Sequence, residues 1–202
     1  MIFDTDGVLI DVRDWHYEAL DIFGVKIPYS EYLGRFDGPP TKTKLSTLAE
    51  GGMAPKNLMH TIEAVKQECT LRAAAQLCFP RIEHILMLAE LRRRGLDLAV
   101  ATSPIRSAIQ TMLAYAGVFE FMDHVVTNED LKNSKPSPDF YLMACSKLGV
   151  MPESALVVED NVTGVRAAKS AGRKVLKVSD PSDLDPNLIG KRLEKLGSVR
   201  DE

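Results

Sequence analysis

Two aspartates stand at the end of the first apolar segment of the chain, in Ile2-Phe3-Asp4-Thr5-Asp6-Gly7. An ionised carboxylate in apolar surroundings costs several kcal/mol unless a cation or hydrogen-bond donors compensate its charge. Asp4 and Asp6 therefore predict a metal ion, a lysine or both at this place, and by themselves they leave the chemistry open.

Three later apolar segments also end in polar residues. These clusters are Thr102 with Ser103, residues 127–130, and Glu159 with Asp160. In open α/β sheets, ligands bind outside the carboxyl ends of the strands. If the apolar segments are parallel strands, the four clusters converge on one crevice, which predicts a single ligand site.

The elements that must position these clusters follow from the apolar pattern. From Pro80 onward, short apolar segments alternate with segments of helical spacing. The predicted strands lie at 96–101, 124–127, 155–158 and 174–178, and the predicted helices at 82–94, 104–116, 138–148 and 162–171. Together with a short first strand before Asp4, this alternation predicts an α/β protein whose parallel sheet is covered on both faces.

The segment between the first strand and Pro80 has a different pattern. It contains helical segments at 14–23, 41–48 and 55–77, separated by loops, and no strand pattern. We therefore predict a core built from residues 1–12 and 80–202, and a helical insertion over residues 13–79 that returns to the same sheet.

In this order the motifs resemble the haloacid dehalogenase superfamily, in particular its phosphatase and β-phosphoglucomutase-like branch. The four motifs are Asp4-Thr5-Asp6-Gly7, Thr102 after Ala99-Val100-Ala101, Lys135 in Lys135-Pro136-Ser137-Pro138-Asp139, and Glu159-Asp160-Asn161. The match spans the whole chain. The resemblance implies a Rossmann-like, three-layer α/β/α core with the inserted helices as a cap.

The resemblance also implies roles for these residues. Asp4 is expected to be the nucleophile that takes the phosphoryl group as an aspartyl phosphate, and Asp6 the general acid and base. Lys135 would add positive charge beside Asp4 and the phosphate. Thr102 and the amide of Ser103 would donate to phosphate oxygens, although Ser103 could also cap the following helix.

The cofactor implied by the resemblance is Mg²⁺, which prefers oxygen ligands. Asp4, the backbone carbonyl of Asp6, and Asp160 are the expected ligands. Glu159 would join them directly or through water. The alternative for Glu159 and Asp160 is a solvated strand end.

Two residues outside the motifs are candidates for substrate binding. His16 stands where capped relatives carry a histidine that reaches toward the acid/base aspartate, though an ordinary helix-surface histidine fits the pattern equally well. Thr41 comes three residues after Gly38, where β-phosphoglucomutases place an arginine for a second phosphate. Lys42, Lys44 and Arg35 could still supply positive charge for such a phosphate, but the pattern favours lysines on a helix surface.

The function expected from these features is a Mg²⁺-dependent phosphatase acting on a small phosphorylated metabolite. Sugar phosphates, phosphoglycolate and nucleoside monophosphates are the substrates considered. Because the arginine is replaced by Thr41, a sugar phosphomutase is the second expectation, and a non-catalytic binding module is the third. Asp6 argues against carbon–halogen chemistry, because the dehalogenase branch lacks this second aspartate.

Composition sets the remaining expectations. The chain has 202 residues, of which 45% are hydrophobic, and a formal net charge of −3. This charge gives no electrostatic reason to expect a nucleic acid polymer or an anionic membrane as partner. The three cysteines lack metal-binding spacing and are expected to be reduced and buried. We expect a cytoplasmic protein and, by default, a monomer.

Overall fold

The computed structural model describes residues 1–21, 24–36, 39 and 41–197. The strands in this part of the chain are β1 Ile2–Phe3, β2 Ala99–Ala101, β3 His124–Val126, β4 Leu156–Glu159 and β5 Lys174–Lys177. They form one sheet in the order β3-β2-β1-β4-β5, and every neighbouring pair is parallel. The predicted parallel α/β sheet is confirmed.

Helices surround this sheet. They are α1 Arg13–Asp21, α2 Tyr29–Glu31, α3 Thr41–Glu50, α4 Met59–Leu77, α5 Ile82–Arg93, α6 Arg106–Tyr115, α7 Asp139–Leu148, α8 Val162–Ser170 and α9 Pro186–Gly197. None of the described helices combines the length and the hydropathy needed to span a bilayer.

Successive side chains of a strand point to opposite faces of the sheet, and the core is divided accordingly. Phe3 and Val100 belong to an apolar cluster that includes buried apolar side chains of α5 and α6, such as Leu88 and Ile109. Ile2 and Val157 belong to a second cluster, together with buried apolar side chains of α7 and α8. The result is three layers, with the two-residue strand β1 at the centre of the sheet.

Helices α1 to α4 follow β1 and precede the rest of the core. Leu20, Tyr32, Leu48 and Ile62 belong to a third apolar cluster, separate from the two that cover the sheet. Helix α4 connects the two parts, because Ala74 near its end packs in the first cluster. The division at residues 13–79 stays a prediction, which the separate cluster supports.

Among the described residues, two helical segments longer than a single turn have no counterpart in the sequence prediction. Helix α2 continues into a π-helical turn, Tyr32–Phe36, around Gly34, where the sequence predicts a loop. Burial of Tyr32 and Phe36 in the third cluster stabilises this turn against its weak local propensity. Helix α9 packs Ile189 on the core, after the last predicted strand. Phe23 and Gly38, which the predictions used, lie outside the described residues.

Candidate active site

The structure brings the predicted motif residues together at the carboxyl edge of the sheet. Strand β1 leads directly into Asp4, whose N–H donates to the carbonyl of Val158 at 3.0 Å. Thr102 follows β2, and Glu159 is the last residue of β4. With Lys135, these side chains line one cavity of about 350 Å³, whose other wall comes from α1, α3 and α4.

Lys135 lies between two buried carboxylates. Its Nζ donates to Asp4 Oδ1 at 2.6 Å and to Glu159 Oε1 at 2.7 Å, and its side chain is 8% exposed. The rings of Phe140 and Tyr141 lie 5.7 and 5.1 Å from the same nitrogen. A lysine this buried is held by its charge partners, and it fixes the position of Asp4 in return.

Glu159 is held by donors at both of its oxygens. Besides Lys135, Oε1 accepts the hydroxyl of Tyr141 at 2.8 Å, while Oε2 accepts the backbone N–H of Asn161 at 2.9 Å. A Cβ on Gly164 would lie 1.6 Å from Oε1, so helix α8 can approach this carboxylate only with glycine at that position. Tyr141 was not predicted, because a tyrosine at the start of a helix has no sequence signal that separates it from packing residues.

Burial and charge shift the pKa values of this group. Burial alone would lower the pKa of Lys135, but the carboxylates of Asp4 and Glu159 raise it well above its ordinary value. Burial raises the pKa of Asp4, Lys135 opposes that rise, and the carboxylate of Glu159 adds to it. The lysine is therefore a permanent cation, whereas Asp4 depends on positive charge around it to stay ionised.

Asp4, Glu159 and Asp160 form the acidic cluster of the site. Each offers a carboxylate oxygen, and the three oxygens lie within 4.8 Å of one another. Gly7, with φ of 76°, leaves room for this cluster, because a Cβ there would lie 2.2 Å from Asp160 Oδ2. Closely spaced, hard oxygen donors suit a divalent cation such as Mg²⁺, so the residues present fit the expected metal.

Asp6 connects the core to α1 and α4. Its Oδ2 lies 3.4 Å from Nε2 of His16, and Nδ1 of His16 lies 3.2 Å from Nζ of Lys66. Burial and the nearby Lys66 lower the pKa of His16 to about 4, so the imidazole is neutral at pH 7. With Lys66 donating to Nδ1, the ring proton is assigned to Nε2, which donates to Asp6. His16 was predicted from the sequence, whereas Lys66 was not.

Three polar atoms of the cavity lining are buried and have no hydrogen-bond partner among the described residues. They are Asp6 Oδ1, Thr102 Oγ1 and Asn128 Oδ1. Unpaired buried polar atoms are costly, and their convergence on one cavity indicates a polar ligand. Ser103 also lines the cavity, and it does not cap α6, because the N-cap residue is Ile105 without a side-chain cap.

Residues 127–135 carry Lys135 to the site, and they are fixed at their start. Asp130 accepts from the N–H of Thr127 at 2.8 Å, and Arg106 donates to the same carboxylate at 2.6 Å. Burial would raise the pKa of Asp130, but these partners hold it below its ordinary value. The polar cluster predicted at residues 127–130 therefore orders the segment that ends in Lys135.

The wall opposite the sheet edge, called the cap wall here, consists of cavity-lining residues of α3 and α4. They are Thr41, Lys42, Thr43, Lys44, Glu63, Lys66, Gln67 and Thr70. Lys44 is only 5% exposed, so its interpretation as a surface lysine is wrong. The helix buries it against Tyr32, whose hydroxyl lies 3.5 Å from Nζ. Lys42 is exposed, as predicted.

Comparison with known sequences identifies the family. The sequence model of the haloacid dehalogenase-like hydrolases matches residues 1–178, and this chain belongs to that family. A phosphorylated carbohydrates phosphatase from Thermotoga maritima is 34% identical over 179 residues, covering 85% of this chain and 81% of that protein.

Solved structures show the same relationship. CbbY from Rhodobacter sphaeroides, in complex with phosphate, superposes with a TM-score of 0.74 at 27% identity, covering 87% of this chain and 84% of that one. β-Phosphoglucomutase from Clostridium difficile superposes with a TM-score of 0.80 over 96% of both chains, at 21% identity. At that identity the likeness to the mutase concerns the fold alone.

Proposed function

We propose that this haloacid dehalogenase-like hydrolase is a Mg²⁺-dependent phosphatase of small phosphorylated metabolites, carbohydrate phosphates in the first place. The observation that carries the proposal is the buried Lys135, held 2.6 Å from Asp4 and 2.7 Å from Glu159 at the floor of the cavity. The T. maritima relative, named for phosphorylated carbohydrates, supports the substrate class.

The residues that would hold Mg²⁺ are Asp4 and Asp160, with the backbone carbonyl of Asp6. When bound, the ion would offset the repulsion between the Asp4 carboxylate and a phosphate dianion. Both oxygens of Glu159 already accept hydrogen bonds, so we assign Glu159 to holding Lys135 and to any metal contact made through water.

In the first half of the reaction, Asp4 attacks phosphorus with a carboxylate oxygen. The new oxygen–phosphorus bond forms the aspartyl phosphate while the bond to the substrate oxygen breaks. Asp6 gives its proton to that leaving oxygen, so the alcohol departs neutral. Lys135 and the unpaired hydroxyl of Thr102 donate to the phosphoryl oxygens.

In the second half, water replaces the alcohol. Asp6, now ionised, takes a proton from the water whose oxygen bonds to phosphorus, and the bond between phosphorus and Asp4 breaks. Inorganic phosphate leaves, and both aspartates regain their starting protonation. His16, neutral and 3.4 Å from Asp6, orients this carboxyl group for both proton transfers.

Phosphomutase activity is not favoured by the cap wall. Thr41 lines the cavity at the position where the β-phosphoglucomutases place an arginine, and its hydroxyl carries no charge for a second phosphate. The proposal therefore predicts net release of phosphate rather than interconversion of sugar phosphates.

The test combines a substrate panel with one variant. Wild-type protein should release phosphate from carbohydrate phosphates with Mg²⁺, lose this activity with a chelator, and regain it when Mg²⁺ is restored. Asp4→Asn should slow release by more than about 10³-fold and abolish trapping of fluoroberyllate at the carboxylate, because the nucleophile is gone.

The matched control is Asp11→Asn, at an exposed aspartate of the same N-terminal segment that does not line the cavity. It should keep the wild-type rate, and circular dichroism should show that both variants are folded. Folded Asp4→Asn protein with near wild-type turnover would exclude Asp4 as the nucleophile.

A further inference from the structure

We propose that Asn128 is a specificity-determining residue whose side-chain amide accepts a hydrogen bond from a substrate hydroxyl close to the scissile phosphate. The preferred substrates are then sugar or polyol phosphates with a hydroxyl on the carbon adjacent to the phosphate-bearing carbon. This inference rests on the proposed phosphatase function and names a substrate feature that is recognised within it.

The side chain of Asn128 has no hydrogen-bond partner among the described residues. Its Oδ1 is buried, and the residue lines the cavity that contains Asp4 and Thr102. The two other buried, unpaired atoms of the lining belong to Thr102 and Asp6, and the proposed reaction gives both residues a role. Asn128 is left without one, although an unpaired buried oxygen is costly unless a ligand donates to it.

The turn that contains Asn128 does not use its side chain. Asparagine often stabilises a turn by accepting a backbone N–H two residues further on. Here the N–H of Asp130 donates to the carbonyl of Thr127 at 3.1 Å, and the N–H of Thr127 donates to the carboxylate of Asp130 at 2.8 Å. Because Thr127 and Asp130 close this turn between them, the amide of Asn128 has no structural role in it.

The backbone around Asn128 is fixed to the start of α6. Glu129 accepts the backbone N–H of Arg106 at 2.5 Å, and the guanidinium of Arg106 donates to Asp130 at 2.6 Å and to the carbonyl of Val125 at 3.1 Å. These contacts lie on both sides of Asn128 along the chain. A residue held in this way before substrate arrives loses little entropy on binding, so its hydrogen bond can discriminate between ligands.

Asn128 lies at the phosphoryl end of the cavity. The N–H of Thr102 donates to the carbonyl of Val126 at 3.0 Å, which places the end of β2 beside the end of β3, two residues before Asn128. Thr102 is the proposed donor to the phosphoryl oxygens. The part of a substrate closest to Asn128 is therefore the phosphoryl group with the carbon atoms next to it.

The unpaired atom is an acceptor, and this determines which group it binds. A phosphate dianion offers only acceptor oxygens, whereas a hydroxyl can donate. Carbohydrate phosphates carry hydroxyls on the carbons close to the phosphoester, so a hydroxyl there fits both the chemistry and the position of Asn128. Rotation of the amide would instead present its nitrogen to a phosphoryl oxygen, and the experiment distinguishes the two contacts.

The experiment compares substrates that differ only in this hydroxyl. sn-Glycerol 3-phosphate is paired with 1,3-propanediol monophosphate, and fructose 1-phosphate with 2,5-anhydromannitol 1-phosphate. One hydrogen bond to a neutral acceptor predicts that wild-type kcat/KM favours the hydroxylated member by about 10-fold. Asn128→Ala should reduce this preference to about 2-fold or less, with the rate on the member without the hydroxyl near that of the wild type.

Two further variants test the cause. Asn128→Asp keeps an acceptor oxygen but adds negative charge near the phosphate, so kcat/KM should fall for both members while the preference persists. The matched control is Asn57→Ala, at an exposed asparagine that does not line the cavity, and it should keep both the rates and the preference.

Three results would overturn the hydroxyl contact. The first is a wild-type protein without the preference, whatever the variants do. The second is an unchanged preference in folded Asn128→Ala protein. The third is an equal loss on both members in that variant, which would indicate a contact with the phosphoryl group instead.

A binding measurement separates this inference from the proposed function. Calorimetry on Asp4→Asn protein should show tighter binding of sn-glycerol 3-phosphate than of 1,3-propanediol monophosphate, and adding Asn128→Ala should remove the difference. If the wild type releases no phosphate but this preference persists, the catalytic proposal fails and the contact stands. If turnover occurs without a preference in rate or binding, only the contact fails, and if the pairs neither react nor bind, both fail.

Discussion

The core wall of the cavity consists of the strand ends and Lys135. On this wall, the ammonium group of Lys135 lies between the carboxylates of Asp4 and Glu159. On the cap wall, the buried Lys44 and Lys66 repel each other, and the neighbour of Lys66 is a neutral histidine. The core wall is thus electrostatically organised before substrate arrives. On the cap wall, the charge of Lys66 meets a neutral imidazole instead. We therefore assign reaction chemistry to the first wall and, apart from the contact of Asn128, substrate selection to the second.

The largest effect is expected when Lys135, the cation paired with two carboxylates on the core wall, is replaced. Lys135→Met leaves the carboxylates of Asp4 and Glu159 buried without their partner, which should cost about 3–5 kcal/mol of unfolding free energy. Activity should fall by about 10²-fold or more, because the proposed donor to the phosphoryl group is lost. Urea titration and phosphate release measure the two effects.

Lys147→Met is the control for this variant, because Lys147 is exposed on α7. It should change the unfolding free energy by no more than about 0.5 kcal/mol and leave the rate of phosphate release near the wild-type value. If Lys135→Met were as stable as the wild type, the core wall would not depend on its internal ion pairs, and the contrast between the walls would disappear.

For a lysine of the cap wall, we expect the replacement to raise the unfolding free energy rather than lower it. The pKa of Lys66 is lowered to about 7, so between about pH 7 and 10 the unfolded chain binds a proton at Lys66 that the folded protein does not. The contribution of Lys66 to the unfolding free energy therefore rises with pH across that range. Lys66→Met should be more stable than the wild type at pH 7, by an amount on the order of a few kcal/mol that shrinks as the pH approaches 10.

This prediction is checked by measuring unfolding free energies of both proteins across the pH range without substrate. Taking the difference cancels the titration of groups that do not interact with Lys66. A Lys66→Met variant that is less stable than the wild type at pH 7 would show that the cap wall compensates this charge internally.

The smallest effect is expected for Tyr141, which supports the core wall through its hydrogen bond to Glu159. Tyr141→Phe removes the hydroxyl that donates to Glu159 Oε1 at 2.8 Å, without changing the shape of the ring. We expect a loss of about 1 kcal/mol in unfolding free energy and about a 10-fold loss of kcat, because Glu159 then orients Lys135 less firmly.

Tyr115→Phe is the control, since Tyr115 is 45% exposed on α6. KM should remain near the wild-type value in both variants, since Tyr141 acts through Glu159 and Lys135. A rise in KM with unchanged kcat would instead place Tyr141 in substrate binding.

Much of the core wall could be predicted from the sequence. Its residues follow apolar strand segments, and parallel strands bring their carboxyl ends to one edge. Asp4, Thr102 and Glu159 were identified from this pattern and from the family resemblance. The contacts that hold these residues in place, such as the one between Tyr141 and Glu159, could not be predicted, because a tyrosine in a helix has many packing roles.

The cap wall could be predicted far less well. Helical periodicity shows which face of a helix is apolar but not how two helices are placed around a cavity. Lys44 was interpreted as a surface residue, and Lys66 carried no signal at all. Their burial depends on how α3 and α4 pack around Tyr32 and His16.

The sequence by itself determined the parallel sheet, the order of the motifs and the identity of the acids at the strand ends, because these depend on local periodicity and on chain order. Tertiary structure alone decided that Lys135 bridges Asp4 and Glu159, and that Lys66 of the cap wall is buried beside a neutral histidine. The physical reason is that burial and mutual distance set the energy of a charge, and both arise only when separate elements pack together.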